Sequence, residues 1–307
     1  MRRASENYIH YGRNVRIGNW YEDFSLEEDE IKTFLRKRHK SELLIQKTRL
    51  LFVNFHAKVD IDSSPNHIRF GAVVQLLSCM KSCPDNSDPN FPSALSVIIN
   101  EQVVRKSRLK INDLCELTVA PSVQPCVRNT FKIMSADNRD RNGEPLRFGE
   151  HFIIQCVDAE EQPLLLLSMQ KSANLTYMAQ TTFESCKRGE INLSVALCLK
   201  KNIGPGKDIP YAYSKWRCYH SDPNKRFETE GQPVPKNCPL IITHLATNRN
   251  LSTENILIQT LFGPEFLVSV QNYIDFSRRL SPKNLWIISI GNKKDSEEEK
   301  LPDEINK

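Results

Sequence analysis

The sequence contains no long apolar run and none of the residue spacings that mark a secreted or metal-binding chain. No stretch of its 307 residues approaches 18 continuous apolar positions, so we expect no transmembrane helix and no membrane partner. The opening residues, MRRASENYIHYG, hold two arginines without an apolar segment behind them and predict no secretory signal. The nine cysteines form no CxxC pair and the histidines no HxxxH pair. We therefore expect reduced thiols and no zinc site.

Motifs of catalysis and cofactor binding are also missing. There is no P-loop, no paired-glycine dinucleotide fingerprint and no G-x-S-x-G turn. Gly204-Pro205-Gly206 resembles a phosphate loop, but proline removes an N–H donor, which favours a surface turn. His244 ends a buried-looking strand, where a hydrogen-bonded core histidine is the simpler interpretation. The sequence predicts a protein that is not an enzyme and has no cofactor, metal or small-molecule substrate.

The N-terminal region differs in sequence pattern from the rest of the chain. Residues 1–24 lack helical periodicity and predict an extended arm. Ser25 with Glu28 forms a capping box, which predicts a basic helical segment over 25–54, as one long helix or two short ones. Within it, RKRHK (36–40) fits a solvated helix face, contact with an acidic protein surface, or a nuclear signal or nucleic-acid contact. The net charge of +5 is too small for a dedicated nucleic-acid binder, so no nucleic-acid partner is expected.

Short apolar runs separated by Pro, Asn, Asp and Gly dominate the rest of the chain and are typical of an all-β sandwich or barrel. The nine runs are AVVQLLS, SALSVII, HFIIQCV, PLLLLSM, NLSVALCL, PLIITHL, ENILIQTLF, EFLVSV and NLWIISI. They predict a β domain over 55–291, whereas the stretch 107–120 is ambiguous. Residues 292–307 are densely charged with few apolar positions, and they predict a disordered tail.

The β domain shows internal repetition. Arg-Phe-Gly occurs at 69–71 and 147–149, 78 residues apart, and each time opens an apolar run. NCPLIITHL (237–245) parallels GEHFIIQCV (149–157) at an offset of 88. Phe131, Trp216 and Trp286 each open a closing aromatic strand. We infer three repeats, roughly 55–140, 141–225 and 226–291.

Three such repeats predict a mainly β protein with a β-trefoil-like barrel, in which the closing aromatics share one core layer. HLATNRNLSTE (244–254) resembles the opening of MIR and ricin-type trefoil domains. The first two repeats are longer than usual and require long loops near 79–93 and 200–215. Trefoil lectins close on Gln-x-Trp, and here Ser214 and Asn284 replace the glutamine. A trefoil module for a glycan or a phosphorylated ligand remains the alternative function.

One combination of segments is more specific. VRIGNWYED, SLEEDE, the two Arg-Phe-Gly tripeptides, LTVAPSVQPCVRNTFKI, and HLATNRNLS followed by FGPEF resemble the cilia- and flagella-associated protein 161 family. The resemblance implies a structural microtubule inner protein that braces the A-tubule lumen of axonemal doublets in motile cilia and flagella. Its implied partners are α/β-tubulin and other microtubule inner proteins.

A scaffold of this kind would hold its partners through the segments outside the repeats. The candidate contacts in the arm are Arg13, Arg16, Ile17 and Trp20. In the basic run, Arg36, Lys37 and Arg38 would add attraction to acidic tubulin surfaces. Trp20 is the best anchor, because aromatic residues and arginines dominate interface energetics. Packing of Trp20 on its own barrel is the alternative.

Overall fold

Two helices lead into the β domain. The structure, a computed structural model, describes residues 20–63, 66–80, 93–99, 104, 111, 115–137, 139–157, 163–169, 193–207, 209–276 and 279–291. Helix α1 spans Trp20–His39 and α2 spans Leu44–Phe55. Contacts divide the chain into residues 1–50, here called the helical unit, and residues 51–307, the barrel unit.

Helix α1 begins earlier than the sequence predicts. Its first residue is Trp20, so the prediction of an extended arm through residue 24 is wrong for Trp20–Phe24. The capping-box residue Ser25 lies inside the helix. Glu22 and Asp23 occupy the first turn instead, where the helix dipole favours negative charge. No glycine or proline interrupts residues 20–39, so nothing local ends the helix sooner. Residues 1–19 of the predicted arm and the tail 292–307 lie outside the described residues.

The helical segment consists of two helices, the second of the two possibilities that the sequence leaves open. Ser41 has a positive φ of 57° and ends the first helix through a left-handed residue. Gln46 connects the two helices: its side-chain oxygen accepts from the Leu43 N–H at 3.4 Å, and its amide donates to the Arg38 carbonyl at 3.1 Å. These bonds satisfy backbone groups that helix ends leave without intrahelical partners.

The barrel unit is built from antiparallel strands, which confirms the mainly β prediction. The described strands are β1 Val73–Ser78, β2 Ser93–Ile98, β3 Glu116–Ala120, β4 Phe131–Ser135, β5 His151–Cys156, β6 Leu164–Met169, β7 Leu193–Leu199, β8 Lys215–His220, β9 Pro239–His244, β10 Leu251–Thr260, β11 Gly263–Val270 and β12 Leu285–Ser289. Each of the nine apolar runs overlaps one of them, and β10 and β11 begin before their runs. Strand β3 lies in the stretch that the sequence leaves ambiguous, because its side chains are buried without alternation.

Six strands pair in a closed ring, in the order β1, β4, β5, β8, β9, β12 and back to β1. The other six form the hairpins β2–β3, β6–β7 and β10–β11. These hairpins pair with one another through β3–β11, β7–β11 and β3–β7. Closure of the ring leaves its strands without a free edge.

A hydrogen-bonded ring joins three equivalent points of the barrel unit. The Ile68 N–H donates to Val234, the Leu146 N–H to Ile68, and the Val234 N–H to Leu146, at 3.0, 2.9 and 2.8 Å. All three side chains are fully buried. Their spacings are the 78 and 88 residues of the sequence repeat.

A second set of contacts explains the repeated glycine. Gly71, Gly149 and Asn237 have φ values of 84°, 83° and 53°. Each donates its N–H to a residue of a closing strand, namely Ile133, Cys218 and Ile288 respectively. Glycine adopts positive φ without strain, and asparagine tolerates it better than most residues. The third repeat therefore keeps the backbone geometry although it lacks the tripeptide.

The closing aromatics belong to one core. Phe131, Trp216 and Trp286 are fully buried in the same cluster. The indole N–H of Trp216 donates to Leu166 at 3.1 Å, and that of Trp286 donates to Leu251 at 2.9 Å. Each indole thus links a barrel strand to a hairpin strand while its polar atom stays satisfied.

One ion pair is buried beside this core. Arg128 Nη2 contacts Glu265 Oε1 at 2.7 Å, and both side chains are almost fully buried. Thr118 Oγ1 donates to the second Glu265 oxygen at 2.6 Å, and Arg128 Nε donates to the Val97 carbonyl at 3.2 Å. The guanidinium also lies 4.0 Å from the centre of the Phe262 ring. Each buried charge therefore has an oppositely charged partner and further hydrogen bonds, as buried charges require. These contacts connect β11 to β3 and to the loop before β4.

Candidate partner-binding surface

Helix α1 presents an apolar face that its own unit leaves uncovered. Phe24, Ile31 and Leu35 follow one another at spacings of seven and four residues, which places them on one side of the helix. They are 59%, 60% and 50% exposed. Tyr21 and Phe34, also largely exposed, flank them. We call these five residues the apolar face.

No described side chain between residues 21 and 50 is buried. A helix with an apolar stripe normally turns that stripe toward a core, which the helical unit does not supply here. Contiguous exposed apolar patches are rare on monomeric proteins and mark interaction sites.

Charge is distributed along α1 from acidic to basic. Glu22 and Asp23 lie in the first turn, and the last turn is basic. Lys32 pairs with Glu28 at 2.8 Å one turn away, and this contact raises the pKa of Lys32. The acidic first turn and the basic last turn both complement the helix dipole. The last turn of α1 is therefore the cationic part of the surface.

The basic cluster is available to a partner. Arg36, Lys37 and Arg38 form no salt bridge with any carboxylate of the described residues. Arg36 Nη2 donates to Thr33 Oγ1 at 3.2 Å, whereas Lys37 and Arg38 are bonded within the unit through their backbone carbonyls. The three cations thus lie in the last turn of the helix that carries the apolar face.

The predicted contact residues of the arm fall partly outside and partly inside the described residues. Arg13, Arg16 and Ile17 lie outside the described residues. Trp20 is the first residue of α1, so its backbone is helical and not part of an extended arm. It precedes Phe24 by one helical turn.

Sequence reasoning missed the apolar face as a binding surface. Ile31, Phe34 and Leu35 form a recognisable helical stripe, but such a stripe predicts a core-facing side. Continuation of the helix back to Trp20 would have added Tyr21 and Phe24 and made the stripe longer. The helical spacing of the apolar residues was visible in the sequence. The sequence did not show that the described residues of the helical unit form no core against which this stripe could pack.

The barrel unit's histidine and glycine candidates have structural roles. His244 is fully buried; its Nε2 donates to the Tyr213 carbonyl at 2.9 Å, and its Nδ1 lies 2.9 Å from Thr247 Oγ1. Burial lowers its pKa, with a smaller opposing effect from the Tyr213 carbonyl. The hydrogen-bonded core histidine is confirmed. Gly204-Pro205-Gly206 forms the predicted turn, closed by the Gly204 N–H to Ile209.

Neither a metal-binding cluster nor a membrane-spanning helix occurs in the part of the chain that the structure describes. No group of three or more His, Cys, Asp or Glu side chains there could hold a metal ion. No helix among the same residues is long and apolar enough to cross a membrane.

Comparison with known proteins identifies the family. The sequence model of the cilia- and flagella-associated protein 161-like domain matches residues 47–291. The chain belongs to this family. Cilia- and flagella-associated protein 161 of Bos taurus is 33% identical over 290 residues, which cover 92% of this chain and 82% of that protein. The Danio rerio protein of the same name is 29% identical over 287 residues, 91% of this chain and 87% of that one.

The cilia- and flagella-associated protein 161 family match confirms the resemblance found in the sequence. Its domain coincides with the barrel unit and begins inside α2, so most of the helical unit precedes it. Among solved structures, the SDF2-like protein of Arabidopsis thaliana is similar, at 12% identity and a TM-score of 0.44. That match covers 73% of this chain and 94% of the plant protein.

Proposed function

We propose that this family member is a structural microtubule inner protein that braces the A-tubule lumen of axonemal doublets in motile cilia and flagella. It is not an enzyme in this account. Its partners are α/β-tubulin and neighbouring inner proteins, and the helical unit is the part that holds them.

The observation that carries the proposal is the uncovered apolar face of α1. Phe24, Ile31 and Leu35 stay exposed although their spacing is that of a core-facing stripe. Most of a helix's stability in a protein comes from packing of its apolar face, so a partner surface that covers the stripe would stabilise α1. Membership of a cilia- and flagella-associated family supports a partner within the axoneme.

The basic cluster supports the choice of tubulin. Arg36, Lys37 and Arg38 lack described carboxylate partners, and we expect them to meet acidic tubulin surfaces at the C-terminal end of α1. Charge complementarity of this kind mainly sets the register and rate of docking, whereas the apolar contacts supply most of the affinity.

The barrel unit is, in this proposal, a rigid β-trefoil. The closed ring, the three hairpins and the three-membered hydrogen-bond ring support that architecture. A closed barrel without free ring edges suits a scaffold that must keep its shape while the axoneme bends.

Fractionation of axonemes tests the proposal. The wild-type protein should remain with salt-washed doublets. A triple variant carrying Phe24→Ser, Ile31→Ser and Leu35→Ser should pass into the soluble matrix fraction. Phe276→Ser is the matched control, because Phe276 is a fully exposed aromatic residue of the barrel unit. Release of the wild-type protein with the matrix, or equal retention of the triple variant, would contradict the proposal.

A further inference from the structure

The barrel unit contains a cleft that none of the functions considered above uses. It has a volume of about 580 Å³ and opens beside β8, β9 and a short helix α3, Arg226–Thr229. Tyr219, Ile241 and Thr243 form one wall. The position equivalent to Ile241 in the second repeat is Ile153, which is buried in a small apolar cluster that includes Ile203 from that repeat's own loop. The third repeat thus leaves open a region that the second repeat fills.

The cleft's asparagines offer donors. Asn272 Oδ1 accepts from the Asn250 N–H at 2.9 Å, and Asn250 Oδ1 accepts from Thr243 Oγ1 at 2.8 Å. Both side-chain oxygens are therefore used internally, and no described residue accepts from either NH₂ group. The amide groups that remain for a ligand are donors.

Arg226 adds a charged donor. Its Nε donates to the His220 carbonyl at 3.1 Å, which fixes the guanidinium in place. Its Nη2 is buried and has no hydrogen-bond partner. No carboxylate of the described residues forms a salt bridge with Arg226, including Glu230 in the same cleft. A buried N–H donor without an acceptor costs folding free energy. Such a donor in a cleft indicates that a ligand supplies the acceptor.

We infer that this cleft binds an aspartate or glutamate side chain presented by an acidic segment of a partner protein. The carboxylate accepts from Arg226 Nη2 and from the asparagine amides, a charge-assisted arrangement. Ile274 and Phe227, which are exposed at the cleft, contact an apolar neighbour of the acidic residue. The inference uses no residue of the helical unit, so it stands apart from the proposed function.

The same features disfavour two other occupants. A sugar carries no charge, so it would leave the Arg226 guanidinium, which has no described carboxylate partner, without a counter-charge. A phosphate carries a larger negative charge, and here it would meet one arginine together with the carboxylate of Glu230. A single carboxylate on a peptide matches both the donors and the size of the cleft.

The test measures peptide binding by fluorescence anisotropy on the full chain at low salt. The probe is fluorescein-labelled Gly-Leu-Glu-Leu-Gly amide, and its twin carries glutamine in place of glutamate. We expect the twin and the Arg226→Gln variant each to weaken binding by about tenfold or more, because a hydrogen bond to a charged group is lost. Lys225→Gln is the matched control: it removes the same charge at the neighbouring, exposed residue and should change binding less than about twofold.

A second variant keeps the test decisive if Arg226→Gln does not fold. Asn272→Asp retains an oxygen for the Asn250 N–H but replaces the donor with an acceptor, so it should also weaken the glutamate probe by about tenfold. Equal effects of Arg226→Gln and Lys225→Gln, or no binding of the glutamate probe, would overturn the inference. So would displacement of the probe by mannose or inorganic phosphate at concentrations where capped glutamate has no effect.

Discussion

The helical unit and the barrel unit use similar apolar residues in opposite ways. Phe131 and Trp286 are fully buried in the barrel, whereas Phe24 and Ile31 of α1 are more than half exposed. The barrel strands close on themselves and bury a core from all three repeats. In the helical unit, no described side chain between residues 21 and 50 is buried, so its apolar stripe meets no core of its own unit. The difference shows that apolar content alone does not decide burial: the architecture of each unit determines whether its apolar side chains meet a core.

The largest expected effect is on the stability of the barrel unit. Trp286→Ala should lower the free energy of unfolding by about 3–5 kcal/mol, because it opens a core cavity and leaves the Leu251 carbonyl without its indole donor. Denaturant unfolding followed by circular dichroism measures it. Phe24→Ala, an aromatic truncation on the apolar face, should change the same quantity by less than about 0.5 kcal/mol. Similar losses in the free energy of unfolding for the two variants would contradict the view that the barrel unit buries its aromatic residues and the helical unit does not.

The next effect concerns the buried ion pair. Arg128→Met should cost about 3 kcal/mol, because Glu265 is left buried without its cation. The double variant with Glu265→Met should recover part of that loss, since no unpaired charge then remains. Equal stabilities of the single and double variants, measured by the same unfolding experiment, would show that the pair is not buried as described.

A smaller effect tests the equivalence of the repeats. Gly149→Ala should destabilise the barrel by about 1 kcal/mol, because φ is 83° there and Glu230 lies 3.2 Å from the added Cβ. Asn237→Gly, at the matching point of the third repeat, should lie within about 0.5 kcal/mol of wild type. A clear loss from Asn237→Gly together with none from Gly149→Ala would argue against equivalent backbone roles.

The smallest expected effect is a pH dependence. Because the pKa of buried His244 is lowered, the unfolded chain binds the proton more readily than the folded chain. The free energy of unfolding should therefore fall as the pH drops below the ordinary histidine value of 6.5. His151, whose pKa is lowered by burial and then by Arg217 and Lys215, acts in the same direction. His244→Gln should make the fall shallower between pH 7 and 5, and an unchanged slope would exclude His244 as a source.

Much of the barrel could be predicted from the sequence, because its signals are local. Each apolar run overlaps a strand, and the offsets between Gly71, Gly149 and Asn237 equal those between the residues of the hydrogen-bonded ring, Ile68, Leu146 and Val234. Strand β3 was ambiguous because full burial erases the alternation that marks a strand. The start of α1 was misplaced because Ser25 and Glu28 make a convincing cap even inside a helix.

The candidate surfaces were harder to predict, for a physical reason. The spacing of Phe24, Ile31 and Leu35 is the same whether the stripe meets a core or a partner, so periodicity cannot separate the two. The cleft brings together Tyr219, Arg226 and Asn272 from separate elements, and no motif links them. Only the fold places those donors side by side.

The most direct test of the central claim is a cryo-electron microscopy map of salt-washed doublet microtubules from motile cilia. The account predicts density for the chain on the inner wall of the A-tubule, with Phe24, Ile31 and Leu35 of α1 covered by tubulin or another inner protein. A map in which the chain is bound through the barrel alone, with that face of α1 open to the lumen, would contradict it.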